Sequence, residues 1–280
     1  MTQLTSRSYV KIVLLALLGI VIIGAAFFSS CSGFRINFGS ANYSETGSAQ
    51  IDASGIKDIN LAWAAGSVEF TTNSGNDIIL TESSSGSLSR AQEMKWHVSK
   101  NILRIEYGNG SSCMNFAQKH LEISIPRSLA DDLGKIKIDA ASGEYILQGI
   151  TCEELKLNLA SGAIYASDME VGDLDIDGAS GEVIVTGNVS GEIKTDSASG
   201  SIDIVSKSEM PASIKSSLAS GSVAVSIPEN DGFSLKFDKL AGSFDCDFSM
   251  QKTDDRYIYK NGKTDIKVDI VSGDFSLKKS

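Results

Sequence analysis

The fold is decided by a pattern of alternating side chains around a small-residue corner, which residues 136–147 show in full as IKIDAASGEYIL. Apolar residues alternate with polar ones before the corner and again after it. Alternation with a period of two is typical of a β-strand with one buried face. Glycine allows the corner a backbone conformation that other residues resist. The stretch therefore predicts two short strands joined at an Ala-Ser-Gly corner.

The same pattern recurs through most of the chain. The corner glycines are Gly66, Gly143, Gly162, Gly181, Gly200, Gly221, Gly242 and Gly273, and the four from Gly143 to Gly200 keep a strict period of 19. At all eight corners, the residues two and four positions after the glycine and seven before it are apolar or aromatic. Such a period indicates stacked units that bury their apolar faces only against each other. The sequence predicts an all-β, single-domain parallel β-solenoid of two-strand coils, about 19–21 residues each, over residues 51–280.

Two regions interrupt the period. Residues 71–130 contain strand-like stretches without the corner, and we expect wider coils or a cap there. Residues 249–265 form an insertion in which Asn261-Gly262 predicts a tight hairpin turn. Lys278 and Lys279 near the chain end are expected to protect an open solenoid edge from further strand addition.

The N-terminal segment predicts export. Residues 12–28, IVLLALLGIVIIGAAFF, are an uncharged apolar run of 17, preceded by Arg7 and Lys11. Basic residues before such a run place the N-terminus in the cytoplasm and the rest of the chain outside. We interpret residues 1–31 as a membrane anchor or signal segment, and the Ser/Gly-rich residues 32–50 as a tether.

Three fates of this segment stay open. Its length fits an uncleaved single-pass anchor, which places the domain outside the cytoplasmic membrane. Cleavage near Ser32 is the second, because Ser30 and Ser32 are small residues at a suitable spacing. Lipidation at Cys31 is the third, although Phe28 stands where a bacterial lipoprotein signal usually has a leucine-like residue.

Composition narrows the classes of function. The chain has 280 residues, of which 42% are hydrophobic, and a net charge of −10. The hydrophobic fraction excludes wholesale disorder, and the acidic balance argues against a nucleic-acid partner. Two histidines make a multi-histidine site hard to build, and four cysteines are too few for a disulfide scaffold. We predict no cofactor, no metal and no catalytic residue.

One stretch imitates a calcium loop. Asp173, Asp175, Asp177 and Gly178 match the start of the pattern D-x-D-x-D-G. The loop requires a bidentate acid at its twelfth position, which is Ile184 here. An outward row of acids on a strand explains the pattern better.

Paired acids could support polysaccharide cleavage if they converged in a cleft. Asp139, Asp175, Asp203 and Asp245 fall on outward strand positions at different offsets from the corner. We therefore expect solvated surface acids rather than a catalytic pair.

Histidine, cysteine and aromatic residues give no stronger signal. His97 and His120 fit surface positions, and Cys246 occupies a core position, while the pairing of Cys113 and Cys152 stays open. Trp63, Trp96, Tyr257 and Tyr259 either line a carbohydrate-binding surface or pack in the core and across strands.

The repeated Ala-Ser-Gly corners resemble the bacterial putative-adhesin family with β-strand repeats. Three further features are similar: a strand ending Ile125-Pro126, the Tyr259–Gly262 segment before the last coil, and the closing residues 270–274, IVSGD. The resemblance covers residues 51–280 and implies a β-solenoid, often with an N-terminal membrane segment. It carries over no catalytic residue.

These observations predict a non-enzymatic, membrane-anchored cell-envelope module that binds an envelope protein or a glycan. An accessory or sensor protein of envelope-stress signalling is the alternative, and a polysaccharide-active enzyme is the third.

Overall fold

The structure is a computed structural model that describes residues 45–108, 118–253 and 255–280. One short helix, α1 (Arg127–Ala130), follows the eighth strand. The strands in chain order are β1 (Glu45–Thr46), β2 (Ala49–Asp52), β3 (Asp58–Trp63), β4 (Gly66–Asn73), β5 (Asp77–Ser84), β6 (Lys95–Ser99), β7 (Ile102–Glu106), β8 (Lys119–Pro126), β9 (Leu133–Ala140), β10 (Glu144–Gln148), β11 (Thr151–Leu159), β12 (Ala163–Gly178), β13 (Glu182–Val189), β14 (Glu192–Ser197), β15 (Ser201–Ser206), β16 (Ser213–Leu218), β17 (Ser222–Ile227), β18 (Gly232–Lys239), β19 (Ser243–Cys246), β20 (Gln251–Lys252), β21 (Tyr257–Lys260), β22 (Thr264–Ile270) and β23 (Asp274–Lys279).

Each coil contributes one strand to each of two parallel sheets that meet at the corners. We call them the pre-corner sheet and the post-corner sheet. In stack order the pre-corner sheet contains β7, β3, β9, β11, the second part of β12, β14, β16, β22 and β18. The post-corner sheet contains β8, β4, β10, the first part of β12, β13, β15, β17, β23 and β19. This stack confirms the predicted parallel β-solenoid.

The core lies between the two sheets and follows the predicted positions. All eight residues seven positions before a corner glycine are buried, from Ile59 to Ile266. Five positions before the corner glycine, two of the eight residues are polar, Thr195 and Ser216, and they lie opposite each other in neighbouring strands. The Thr195 hydroxyl donates to Ser216 Oγ at 2.8 Å. This hydrogen bond lowers the cost of burying the two hydroxyls.

The corner glycines form a continuous column along the stack. A Cβ atom on Gly162 would lie 2.2 Å from the carbonyl oxygen of Gly143, and one on Gly181 would lie 2.5 Å from that of Gly162. Both glycines have positive φ angles, +96° and +124°. The main chain of each corner thus occupies the space that a side chain would need at the next, which explains the strict glycine period.

The coils follow the chain order only in the middle of the stack. The first coil, β3/β4, lies between β7/β8 and β9/β10. The last coil, β22/β23, lies between β16/β17 and β18/β19. Strand β23, which carries Lys278 and Lys279, is therefore not the outermost strand that the sequence predicted, because β17 lies on one side and β19 on the other, although β19 pairs only as far as Leu277. The outermost post-corner strand at this end is β19.

Antiparallel strands flank the parallel stack. Beyond β8 lie β5 and β2, and beyond β7 lie β6 and β1. Most of residues 71–130, predicted as wider coils or a cap, form these strands and the coil β7/β8. Because β1 and β2 pair with β6 and β5, residues 45–50 of the predicted tether belong to the fold, where their main-chain groups complete the two antiparallel edges.

The insertion at 249–265 differs from the predicted hairpin. Strand β21 pairs antiparallel with β18 and with β20, while β22 lies on the opposite side of β18. The turn at Asn261-Gly262 therefore connects two strands that β18 separates. The hairpin that does form joins β20 and β21, and Thr253 N donates to Arg256 O between them. Strand β18 therefore takes the place beside β21 that the turn alone would have given to β22.

The N-terminal segment 1–31, including Cys31, and Cys113 lie outside the described residues. In the part of the chain that the structure describes, no helix is long and apolar enough to cross a membrane.

Candidate functional site

The outward face of the pre-corner sheet carries a column of lysines. They occur six positions before the corner glycine, and the strand register places each next to its neighbour except where Asp175 stands between Lys156 and Lys194. In stack order the column is Lys137, Lys156, Asp175, Lys194, Lys215, Lys267 and Lys236. Sequence reasoning missed this column, although its fixed offset from the glycine was a readable signal.

Carboxylates on both sides of the column neutralise it. Lys194 Nζ lies 2.8 Å from Asp196 Oδ2 and 3.2 Å from Asp175 Oδ1. Burial alone would lower the pKa of Lys194, but the hydrogen bonds and charges of these two carboxylates outweigh it and raise the pKa. The pKa of Asp175 shows the reverse balance: burial acts to raise it, while Lys156 and Lys194 lower it. This face is therefore covered with ion pairs made within the chain.

The three aspartates that imitate the start of a calcium loop belong to this network of ion pairs and hydrogen bonds. Asp175 and Asp177 both pair with Lys156, and Asp173 Oδ1 accepts a hydrogen bond from Glu192 N at 2.7 Å. They stand on one straight strand, which cannot wrap around an ion as a loop does. Within residues 45–108, 118–253 and 255–280, no group of three His, Cys, Asp or Glu side chains is placed to hold a metal.

The acids considered for polysaccharide cleavage are spread over both faces. Asp139 and Asp175 lie on the pre-corner face, and Asp203 and Asp245 lie on the post-corner face, separated by β17 and β23. Glycoside hydrolysis requires two carboxyl groups within about 5–9.5 Å of each other across a cleft. The strand positions do not bring these four together.

The outward face of the post-corner sheet differs in charge from the pre-corner face. Its parallel strands carry one outward lysine, Lys278, against the seven carboxylates Glu69, Glu122, Glu144, Glu182, Asp203, Asp245 and Asp274. Glu69 stands directly opposite Glu122 in the neighbouring strand. Among the described residues no ion pair involves any of these seven side chains.

An apolar row lies among these acids. Ile146, Tyr165 and Ile184 occupy the same outward column on three successive strands. Ile146 is 37% exposed, which is unusual for a residue in the middle of a sheet face. The Tyr165 hydroxyl donates to Glu182 at 2.8 Å, and this bond raises the tyrosine pKa. We call these three residues the apolar row.

A shallow groove of about 640 Å³ lies beside this face, next to the corners of the first coils. Its lining includes Ser67, His120 and Glu144, and Ser67 Oγ lies 2.9 Å from His120 Nδ1. Acyl transfer by such a pair requires a third group orienting the imidazole and donors for the oxyanion. The N–H group of Ala163, at a corner beside the groove, already donates to Gly143 O and is therefore not free to stabilise an oxyanion. Glu144 is the only carboxylate lining the groove within the described residues.

A buried ion pair, which the sequence did not predict, lies at the end of the glycine column. Lys119 stands opposite Gly66, and its side chain turns inward with 0% exposure. Lys119 Nζ lies 2.8 Å from Glu82 Oε1 and 3.9 Å from the Tyr107 ring centre. Burial lowers the pKa of Lys119 against the opposing effect of Glu82. Burial, with the nearby Glu82 charge, raises the pKa of Tyr107 to about 12.

Most of the remaining candidates are structural. Trp63 is fully buried, with its ring 5.0 Å from that of Tyr107, and Tyr259 is 8% exposed. Core packing therefore explains both better than a carbohydrate surface. Cys152 and Cys246 are free thiols, and burial raises the pKa of Cys152 to about 12, which makes it unreactive.

Several solved structures resemble this chain. Three of them are a "putative cell adhesion protein" from Clostridium sporogenes, a "putative adhesin" from Bacteroides fragilis and a "putative lipid binding protein" from Parabacteroides distasonis. Their identities to this chain are 15%, 12% and 16%, with TM-scores of 0.39, 0.43 and 0.46. The superpositions cover 84%, 83% and 84% of this chain, and 100%, 97% and 98% of theirs.

No curated protein matches the chain. A family model described as Toastrack DUF4097 matches residues 56–278, from just before β3 to within β23. The match spans all nine coils and confirms the resemblance carried by the repeated corners. The chain belongs to the Toastrack DUF4097 family.

Proposed function

We propose that the protein is a non-enzymatic interaction module of the cell envelope, held at the membrane by residues 12–28 or by a lipid on Cys31. The solenoid presents its post-corner face to a partner outside the cytoplasm. The observation that carries this proposal is the contrast between the two outward faces.

The charges of the pre-corner face are paired with each other, as is typical of a surface that contacts only water. There, six column lysines stand between rows of carboxylates and pair with them. The post-corner face is built from the other strand of each coil, its carboxylates are not neutralised in this way, and it exposes Ile146. Exposed apolar side chains surrounded by charge mark interaction surfaces on soluble domains.

The test compares the two surfaces in the full chain. A tagged wild-type protein is cross-linked in its own envelope and captured, in parallel with Ile146→Ser/Tyr165→Ser. The matched control is Val98→Ser, which removes an equally exposed apolar side chain, 43% accessible, from β6. We expect the double variant to lose cross-linked partners that the control retains. Equal capture by all three proteins would overturn the proposal.

The anchor is tested separately by metabolic lipid labelling of the wild type and Cys31→Ala. Label lost in the variant supports a lipoprotein. Retention in the membrane without label supports the uncleaved segment, and release into the medium supports cleavage near Ser32.

A further inference from the structure

We propose that the post-corner face binds a cationic segment of a partner protein, one that carries apolar side chains between its basic residues. This inference deepens the proposed function and rests on it. It comes from three properties of the face: its uncompensated charge, its apolar row, in which Ile146 is exposed and Tyr165 and Ile184 are half-buried, and strand edges that are already paired.

The negative charge of the face favours a positively charged partner. Glu122, Glu69 and Asp203 lie in the same column as the apolar row, two at one end and one at the other. Glu144 and Glu182 lie in the adjacent column, on either side of Ala163. Like charges directly opposite each other destabilise a sheet. A partner with lysine or arginine at matching positions removes that repulsion.

The apolar row selects amphipathic rather than merely basic partners. Ile146, Tyr165 and Ile184 adjoin across successive strands, so they form one surface about 10 Å long at the usual strand spacing. Contact with this surface removes apolar area from water, and the surrounding acids fix the orientation.

The strand pairing excludes binding by strand addition. Each of the strands β10, β12 and β13 has a parallel neighbour on both sides. Their main-chain groups are therefore engaged, and the partner must contact the face through side chains. The column from Glu122 to Asp203 crosses six strands, about 24 Å. A helix of about 16 residues or an extended segment of about 7 spans this distance.

A second copy of the chain fits this face poorly. The lysine column of the pre-corner face is already engaged with the carboxylates beside it, such as Lys156 with Asp175 and Asp177. If the pre-corner face of a second copy docked on the post-corner face, its existing ion pairs would have to break. The new ion pairs with the post-corner acids would only replace those lost, so the charges would give no net gain.

The test uses the full chain and synthetic 16-residue peptides. The first peptide has a leucine stripe flanked by lysines, the second has glutamate in place of lysine, and the third has the lysines without leucines. We expect the first to bind with a micromolar Kd and the others at least tenfold more weakly. Ile146→Ser/Tyr165→Ser should weaken the first peptide at least tenfold.

Charge is tested with two matched double variants. Glu69→Gln/Glu122→Gln should weaken binding and reduce its salt dependence. Asp177→Asn/Asp238→Asn removes the same charge from the pre-corner face, and it should leave binding unchanged. Equal loss in both variants, or equal binding of the glutamate peptide, overturns the inference. Equal binding of a cationic polysaccharide with the same dependence on Ile146 also overturns it, in favour of a glycan.

The two proposals fail differently. If no peptide binds but Ile146→Ser/Tyr165→Ser still loses cross-linked envelope partners, the partner chemistry is wrong and the proposed function stands. If the variant loses no partners either, both are wrong.

Discussion

Replacing Gly162 with alanine tests whether the glycine column holds the stack together. The new Cβ atom would lie 2.2 Å from Gly143 O, whereas real Cβ contacts are at least 3.0 Å. The two corners must therefore separate by about 0.8 Å, the difference between these distances. The positive φ of +96° at Gly162 adds strain for any residue with a side chain.

The cost follows from these two effects. A non-glycine residue at a sparsely populated positive φ costs about 1–3 kcal/mol. Separation of the corners stretches the bond from Ala163 N to Gly143 O, now 2.8 Å, and an unsatisfied main-chain group costs about 1–3 kcal/mol more. We expect a loss of about 4 kcal/mol, a large part of the roughly 5–15 kcal/mol that stabilises a typical domain.

Urea unfolding of the full chain, followed by far-ultraviolet circular dichroism, measures this loss. A slope near 3 kcal/mol per molar urea predicts a midpoint about 1.3 M lower. The matched control is Gly149→Ala, where φ is +64° but the nearest atom, Arg127 Nη1, is 3.8 Å away. The control should cost only about 1–2 kcal/mol. Equal midpoints for the two variants would refute the role of corner stacking.

Three further results are expected. Lys119→Met should lower stability by about 3–5 kcal/mol in thermal unfolding, because Glu82 stays buried without its cation, whereas Lys119→Met/Glu82→Gln should recover most of the loss. Hydrogen bonds from Lys260 and neighbouring residues hold the pKa of Glu229 at about 2. The stabilisation from Glu229 is therefore fully present above pH 4.5, the ordinary pKa of this carboxyl, and is lost as the pH falls towards 2. The free energy of unfolding of Glu229→Gln should accordingly change less with pH between 4.5 and 2 than that of the wild type. Deleting residues 264–280 should expose residues 232–246 to limited proteolysis, since the coil that holds them to the stack is removed.

The core was predictable because it depends on local alternation around a fixed corner. Fourteen of the sixteen residues two and four positions after the glycines are buried. The other two, Phe244 and Cys246, lie on β19, which has no coil beyond it and leaves them half-exposed. The pattern identifies inward residues correctly even where the stack ends.

The order of the coils was not predictable from the repeat. Alternation specifies which side chains face inward, but equivalent coils offer equivalent edges to each other. The placement of β3/β4 and β22/β23 depends on the long non-repeating connections at 74–101 and 247–263. The Asn261-Gly262 turn was misread for the same reason: its local signal predicts a turn, but not which strand the next one pairs with.

The candidate surfaces divide in a similar way. The lysine column could have been found, because lysine stands six positions before the glycine at six of eight corners. The Lys119–Glu82 pair could not, because 37 residues separate its members and both read as ordinary strand-end charges. The post-corner face required the register, since Glu69 and Glu122 become neighbours only when β4 pairs with β8.

The exchange of coils at both ends gives the stack a mechanical property that a simple solenoid lacks. A terminal coil has one neighbour and opens first, which makes chain ends the weak points of solenoids. Here β3/β4 and β22/β23, the coils nearest the two chain ends, each have a neighbour on both sides. In the proposed membrane-anchored arrangement, a pull on the N-terminus reaches β1 and β2, two short antiparallel strands that flank the stack, before it reaches β3. If these two strands separate, the next coil along the chain, β3/β4, is still paired on both sides, so we expect the stack to resist unravelling from this end better than a sequentially ordered stack would.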